Sequence, residues 1–549
     1  MPNGTPVSVT ATLRWRRAFI ALFALLQLGK LLLAVRLPPF ADEAFYWQES
    51  RHLAWGYSDL PGLTAWLIRL GQAMAGDGVL AMRWPFLLLG AALPWLVVAW
   101  SRRHVTAVAA WQAGLLALGM PLLGTLGVLA LPDVPLTAAA MLSLLFLDRA
   151  LEARARWPWL ALGLSLAVLV ASHYRAAMML IAGLLFVVLT PRGRRVWRHP
   201  GWYGALLLGA LGVVPTLLYN VEHQWAGLAF QAVDRNPWRF HADALRQPLE
   251  QALVTTPMLY ALLLWALWRS LCRRWQGAPW DVAGMVGISF VLGYFLGGLF
   301  ADDLRFRLHW PLPGYLPLLA LVPGLLAGLR WRRVWVAALG ITLVLAQAAT
   351  MTVLLAASQP GDGAGMWRAN GVARAFAGWP QAVALVARQL ADEPGRVLVA
   401  DNFKLAAELD FGLRGSRVVY VLDSPANSKH GRAVQLADWH RDAAALRRQQ
   451  AGASALLAVE ETSLREAARP EWLGSLCANF DRLQAAGRLD LPHMDRHIAL
   501  YRARVRAHPH YDSRGRDGCV IWREAHRVAY PLARDAGAGR DIQGTDTPR

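Results

Sequence analysis

From residue 17 to residue 357 the chain alternates long apolar runs with short arginine-bearing breaks, a pattern that predicts a bundle of membrane-spanning helices. Apolar segments fall at 17–37, 84–100, 104–125, 131–148, 157–172, 176–191, 201–220, 251–269, 280–300, 310–329 and 334–357. Several are shorter than the roughly 20 residues needed to cross a hydrocarbon core, so tilted or partly re-entrant helices are expected among about 11–13 in all. Between the first two runs, 38–83 holds two aromatic and charged stretches, Phe45-Tyr46-Trp47 to Trp55 and Trp66 to Met74. It is too polar to span and too apolar for a free loop, which predicts helices lying in the membrane interface.

Beyond residue 358 the apolar runs shrink to strand length. Arg396-Val397-Leu398-Val399-Ala400 and Arg417-Val418-Val419-Tyr420-Val421-Leu422 read as strands around a helix from Asn402 to Leu413, with another helix and a strand through Leu456 to Val459. The expected organisation is a transmembrane domain over 1–357, a small α/β domain outside the membrane over 358–535, and a disordered polar tail over 536–549. No internal repeat is found. No glycine-rich phosphate loop of the GxGxxG or GxxxxGK type is present, so a nucleotide site is unsupported.

Composition excludes disorder for most of the chain: 56% of residues are hydrophobic, 17% are charged, and 26 are Trp. The net charge of +19 would suit nucleic acid, but Lys and Arg sit in clusters between apolar segments, which is the pattern of membrane topogenic charge. With a cytoplasmic N-terminus, Arg102-Arg103, Arg154/Arg156, Arg192/Arg194/Arg195/Arg198, Arg269/Arg273/Arg274 and Arg330/Arg332/Arg333 all fall inside. An odd number of spans then puts the C-terminal domain outside, in the periplasm if the membrane is a bacterial inner membrane. Arg14, Arg16 and Arg17 precede the first run as in a signal peptide, yet the run continues through Leu31 to Val35 without a small-residue cleavage site, so a retained first span is expected. Cys272, Cys477 and Cys519 form no zinc pattern; a single Cys477–Cys519 bridge stays open.

The candidate chemistry lies in the loops left outside. Asp42 and Glu43, in Ala41-Asp42-Glu43-Ala44-Phe45-Tyr46-Trp47, are carboxylates at a lipid boundary, where charge is costly unless paired or used. Two readings stand: Asp42 as a general base for an acceptor hydroxyl or amine, or both acids as helix caps and salt-bridge partners, for example of Arg51. Asp133, in Leu131-Pro132-Asp133-Val134-Pro135, sets a second acid at the same face, where the acids could orient one acceptor or hold one metal. Basic residues gather on that side too: Arg51, Arg175 in Ser172-His173-Tyr174-Arg175, Arg235 and Arg239 after His223, and Arg305 and Arg307 before His309-Trp310. They suit an anionic ligand such as a lipid phosphate, or ordinary lipid headgroups.

Ala41 to Trp47, followed by Arg51-His52-Leu53-Ala54-Trp55-Gly56-Tyr57-Ser58-Asp59-Leu60-Pro61, resembles the first outer loop of the protein O-mannosyltransferase and aminoarabinose lipid A transferase superfamily of GT-C glycosyltransferases. Similar motifs follow in order: Pro132-Asp133-Val134-Pro135-Leu136, Ser172-His173-Tyr174, Pro215 to Asn220 with His223-Gln224-Trp225, Trp310-Pro311 with Tyr315-Leu316-Pro317, and Ala400 to Ala406 through His430-Gly431-Arg432. The resemblance implies a sugar donor carried on polyprenyl phosphate and transfer to lipid A, another glycan or protein. It implies Asp42 as catalytic base, Glu43 in support, and Asp133 orienting acceptor or base. Arg51, Tyr57, Asp59, His173, Tyr174, Arg175, His223, Arg305 and His309 are then candidate contacts to donor phosphate and substrate. Two positions depart from the family pattern: Leu60-Pro61-Gly62 stands where His-Pro-Pro is common, and His173-Tyr174 where Lys-Tyr is common, with Arg175 able to replace the missing charge. Side chains suffice to neutralise a leaving monophosphate, so no cofactor is required, while a divalent metal at Asp42, Glu43 and Asp133 is compatible with the chemistry. The rival readings are a lipid-linked sugar flippase or other transporter, and a pseudoenzyme that binds the donor without turnover.

Overall fold

The computed structural model describes residues 6–152, 154–234, 238–300, 308–358, 375–491, 496–510 and 519–527. Arg235, Arg305, Arg307 and the tail 536–549 lie outside the described residues. The chain divides into two compact units, Met1–Ser358 and Gln359–Arg549.

The first unit is helical: α1 (Pro6–Arg36), α2 (Ala41–Arg51), α3 (Leu63–Ala75), α4 (Val79–Ser101), α5 (Ala107–Gly119), α6 (Asp133–Glu152), α7 (Trp157–Ser172), α8 (Ala176–Leu189), α9 (Pro200–Leu211), α10 (Val214–Glu222), α11 (Pro257–Arg273), α12 (Trp280–Phe300), α13 (Leu312–Leu319) and α14 (Arg332–Ala357), with shorter turns between. Each of the expected apolar segments is helical. Among the described residues, six helices are long and apolar enough to cross a membrane alone, and a seventh if the pair Ala242–Thr255 and Pro257–Gln276, bent by 114°, counts as one span. The difference from the expected number is one of length: α5, α7 and α8 have 13, 16 and 14 residues, about 20–24 Å of helix, and 310–329 is broken into two short helices.

The first loop forms two helices, as expected. Nine of the eleven residues of α2 are buried against the rest of the unit, whereas α3 keeps Leu70 and Met74 exposed.

Close backbone packing sets the turn that leads into α6. A Cβ on Gly90 would lie 2.2 Å from the Leu126 carbonyl oxygen, and Gly127 takes φ +94°, so α4 and this turn meet where only glycine fits. Lys30 of α1, fully buried, donates to the Leu126 carbonyl at 2.6 Å. The far end of α6 is pinned by a second polar group. Asp148 pairs with Arg192 at 2.7 Å and with His104 at 2.7 Å, and Arg192 reaches Asp281 at 3.0 Å. Buried charge is tolerated when it is paired in this way, and four chain segments are thereby joined.

The second unit holds a five-stranded sheet in the order β2-β1-β3-β5-β4. Its strands are β1 (Val397–Ala400), β2 (Val419–Val421), β3 (Ser454–Glu460), β4 (Phe480–Leu491) and β5 (Arg496–Val505). β1 pairs in parallel with β2 and β3, whereas β5 runs antiparallel to β3 and β4. The apolar strands β1 to β3 match the sequence reading; the hairpin of β4 and β5 went unread because charge is interspersed along both. Cys477 and Cys519 form a disulfide that ties the helix Arg469–Leu476 to Val520–Arg527.

Candidate active site

The site is built on a buried ion pair. Arg83 of α4 donates Nε to Glu43 Oε1 at 2.9 Å and Nη2 to Oε2 at 2.6 Å, and both side chains are fully buried. Its other donors go to the carbonyls of Ala34, Leu37 and Pro38, at 3.0, 2.8 and 3.0 Å. Glu43 also accepts from the backbone N–H groups of Phe40 at 3.0 Å and Ala130 at 2.7 Å. Such a pair is stable in a low-dielectric interior when its remaining hydrogen-bonding positions are filled, as they are here. The end of α1, the start of α2, α4 and the turn before Asp133 are fixed to one another. Glu43 is therefore engaged on both oxygens, while its neighbour Asp42 is half-buried and sits on the first turn of the locked helix.

Three residues after Ala130, Asp133 opens α6. Its Oδ1 receives Arg175 Nη2 at 2.7 Å and lies 3.3 Å from His309 Nε2. Arg175 stacks over the Trp310 ring at 5.1 Å. The same arginine approaches His173: its backbone N–H is 3.0 Å from Nδ1, and its Nε is 3.2 Å from Nε2. A neutral imidazole accepts at only one nitrogen, so these two contacts are alternatives. The turn between α7 and α8 thus gathers Asp133, His173, Arg175, His309 and Trp310 into one cluster.

Tyr174, between His173 and Arg175, serves a second group. Its hydroxyl accepts from Asn220 Nδ2 at 3.4 Å, and burial pushes the phenol up to about 12. Asn220 also holds the next loop, accepting from Leu228 N at 2.9 Å. Gly227 fits against this pair, since a Cβ there would lie 2.9 Å from the Tyr174 hydroxyl. Asp59 is buried and its carbonyl accepts from Gln231 Nε2 at 2.8 Å; its charge acts on both Tyr57 and Tyr174. Tyr57 is fully buried and donates to the Glu49 carbonyl at 2.8 Å, while the Gly56–Pro61 bridge closes the loop around it. Burial raises its pKa further, so it is protonated at any working pH.

The remaining candidates turn elsewhere. Arg51 lies 3.8 Å from Asp77 and over the Trp47 ring, so the acid it meets is Asp77 rather than Asp42 or Glu43. His223 bonds the Tyr219 carbonyl at 2.8 Å and stacks on that ring at 4.0 Å. Arg305 lies outside the described residues. No group of three His, Cys, Asp or Glu that could hold a metal is found among the described residues. Two residues that shape the site were not singled out from the sequence, Arg83 and Lys30. The signal was available, since each is a lone cation within an apolar run, where burial demands a partner.

The geometry can be set beside known proteins. Residues 59–219 match the family model described as dolichyl-phosphate-mannose-protein mannosyltransferase. The lipid A galacturonosyltransferase RgtD of Rhizobium johnstonii is 25% identical over 244 residues, 43% of this chain and 50% of that protein, so the match spans half of the relative's length. The crystal structure of ArnT from Cupriavidus metallidurans in the apo state superposes with a TM-score of 0.60 at 16% identity, over 88% of this chain and 98% of that one. ArnT bound to undecaprenyl phosphate gives 0.58 over the same shares, also at 16% identity. The fold is therefore that of ArnT over most of both chains, and parts of the sequence are similar to the mannosyltransferase family model and to RgtD.

Proposed function

We propose that the protein is a glycosyltransferase that takes a sugar from a polyprenyl-phosphate carrier and transfers it, with inversion, to lipid A or another glycan or protein acceptor. The reaction takes place at the periplasmic face of a bacterial inner membrane, with the C-terminal unit in the periplasm. A disulfide in that unit suits an oxidising compartment. The likeness to ArnT bound to undecaprenyl phosphate supports a lipid-linked donor, and the match to the lipid A galacturonosyltransferase RgtD supports lipid A among the acceptors.

In this mechanism Asp42 takes the proton of the acceptor hydroxyl as its oxygen attacks the anomeric carbon. The bond from that carbon to the phosphate oxygen breaks in line, and its electron pair leaves with polyprenyl phosphate. Arg175, aimed by Asp133 and the Trp310 face, meets the charge that grows on the leaving phosphate, with His173 and His309 as further donors. A preoriented guanidinium suits phosphate oxygens because it offers paired donors at fixed geometry.

The observation that carries this reading is the Glu43 carboxylate bridging α2 to Ala130, which sets Asp42 and Asp133 on one rigid frame. Membranes holding the protein, supplied with radiolabelled polyprenyl-phosphate sugars, are expected to move label to a lipid, glycan or protein acceptor. Chelation of divalent metal is expected to leave the transfer intact. Donor crossing the bilayer with no label transferred would favour a flippase and overturn the reading.

A further inference from the structure

At the arginine-rich end of the first unit, away from the Asp133 cluster, a cavity of about 1380 Å³ opens between α1, α5, α11, α14 and the segment 320–327. It exceeds the roughly 300–1,000 Å³ of a small-molecule pocket. Its cations come from three helices: Arg14 of α1, Arg269 and Arg273 of α11, and Arg332 and Arg333 of α14. No carboxylate is among the residues lining it, and none of these five arginines forms an ion pair among the described residues. Arg269 Nε is buried with no hydrogen-bond partner among the described residues, which is costly for a guanidinium unless something else accepts. Deeper in, the walls are apolar, with Leu116, Leu339 and Leu343.

We propose that this cavity binds one anionic glycerophospholipid of the leaflet at that end, the cytoplasmic one by the distribution of arginine. Its phosphate lies among the five arginines and accepts from Arg269, and the first part of its acyl chains lies along the leucines. Unbalanced positive charge over an apolar wall fits this chemistry, whereas a soluble phosphate would leave the wall wet and a zwitterionic lipid would bring its own cation into the arginine cluster. The lipid closes the gap between α1, α11 and α14, so it acts as a structural wedge distinct from the sugar-carrying substrate.

The test is native mass spectrometry of the full-length purified protein, offered phosphatidylglycerol, phosphatidylethanolamine and undecaprenyl phosphate at equal concentration. The wild type is expected to retain one phosphatidylglycerol, and the Arg269→Gln/Arg273→Gln double variant to bind it about tenfold more weakly. If that variant does not fold, Arg332→Gln/Arg333→Gln at the exposed opposite wall gives the same reading. Arg16→Gln/Arg17→Gln, outside the cavity at the same end, is expected to keep the lipid. Equal retention in all variants, equal loss in the Arg16/Arg17 control, or undecaprenyl phosphate displacing phosphatidylglycerol in an Arg269-dependent manner would each overturn the proposal.

Discussion

Glu43 and Arg83 form a two-point ion pair with both side chains fully buried, and through Ala130 the same carboxylate holds the turn that delivers Asp133. Glu43 is thus part of the frame, and the proposed mechanism gives the reaction to its neighbour Asp42.

Breaking the pair from either side strands a buried charge. Glu43→Gln or Arg83→Met is expected to destabilise the first unit by about 3–5 kcal/mol, seen as a large fall in unfolding temperature in detergent. Asp42→Asn, at a half-buried position, is expected to leave that temperature within a degree or two. Equal damage from both substitutions would remove the division of labour.

Arg175→Lys keeps the charge but loses the planar fork that bonds Asp133 and the face that stacks on Trp310. Transfer is expected to slow by about 100-fold with little change in thermal stability. A Lys variant with wild-type turnover would mean that point charge alone is used there.

The second unit carries a pH response. Asp401, buried at the end of β1, is pushed up to about 7, first by burial and then by the charge of Glu460, against the Glu460 N–H that it accepts. The folded form keeps a proton that the unfolded chain loses near pH 4. Stability is therefore greatest below about pH 4 for this group and declines as pH rises to about 7, by up to about 4 kcal/mol. Denaturant unfolding followed in the second unit of the whole protein is expected to show a higher midpoint at pH 5 than at pH 8, and Asp401→Asn is expected to flatten the difference. A midpoint rising with pH would contradict this.

Reduction of the Cys477–Cys519 bridge releases a 42-residue separation. By loop entropy this is expected to cost the second unit about 4 kcal/mol. Thermal unfolding with and without reductant, and of Cys477→Ser/Cys519→Ser, measures it.

Much of this was legible because apolar runs and charge clusters are local signals. The helices of the first unit and the strands β1 to β3 follow from residues close in sequence, while the Cys477–Cys519 bridge, left open by the sequence, needed the fold to close it. The ion pair that holds Glu43 was not legible, since it depends on Arg83, 40 residues away. Nor was the exchange of Arg51 from Asp42 or Glu43 to Asp77, because side-chain direction at a helix end follows from packing with α3 and the next loop. The burial of α2 was hidden for a related reason, since it depends on the helices that surround it. The cluster at Asp133 was half legible. Its members were candidates from their loops, but the arginine that reaches the acid, rather than a histidine alone, emerges from the turn between α7 and α8.

The central claim is that Asp42 is the catalytic base, and it is tested most directly by comparing sugar transfer from a radiolabelled polyprenyl-phosphate donor by wild type and Asp42→Asn in membranes. The account predicts a loss of at least about 10²–10⁴ in turnover, with donor binding and thermal stability retained. Asp42→Asn turning over at near the wild-type rate would contradict it.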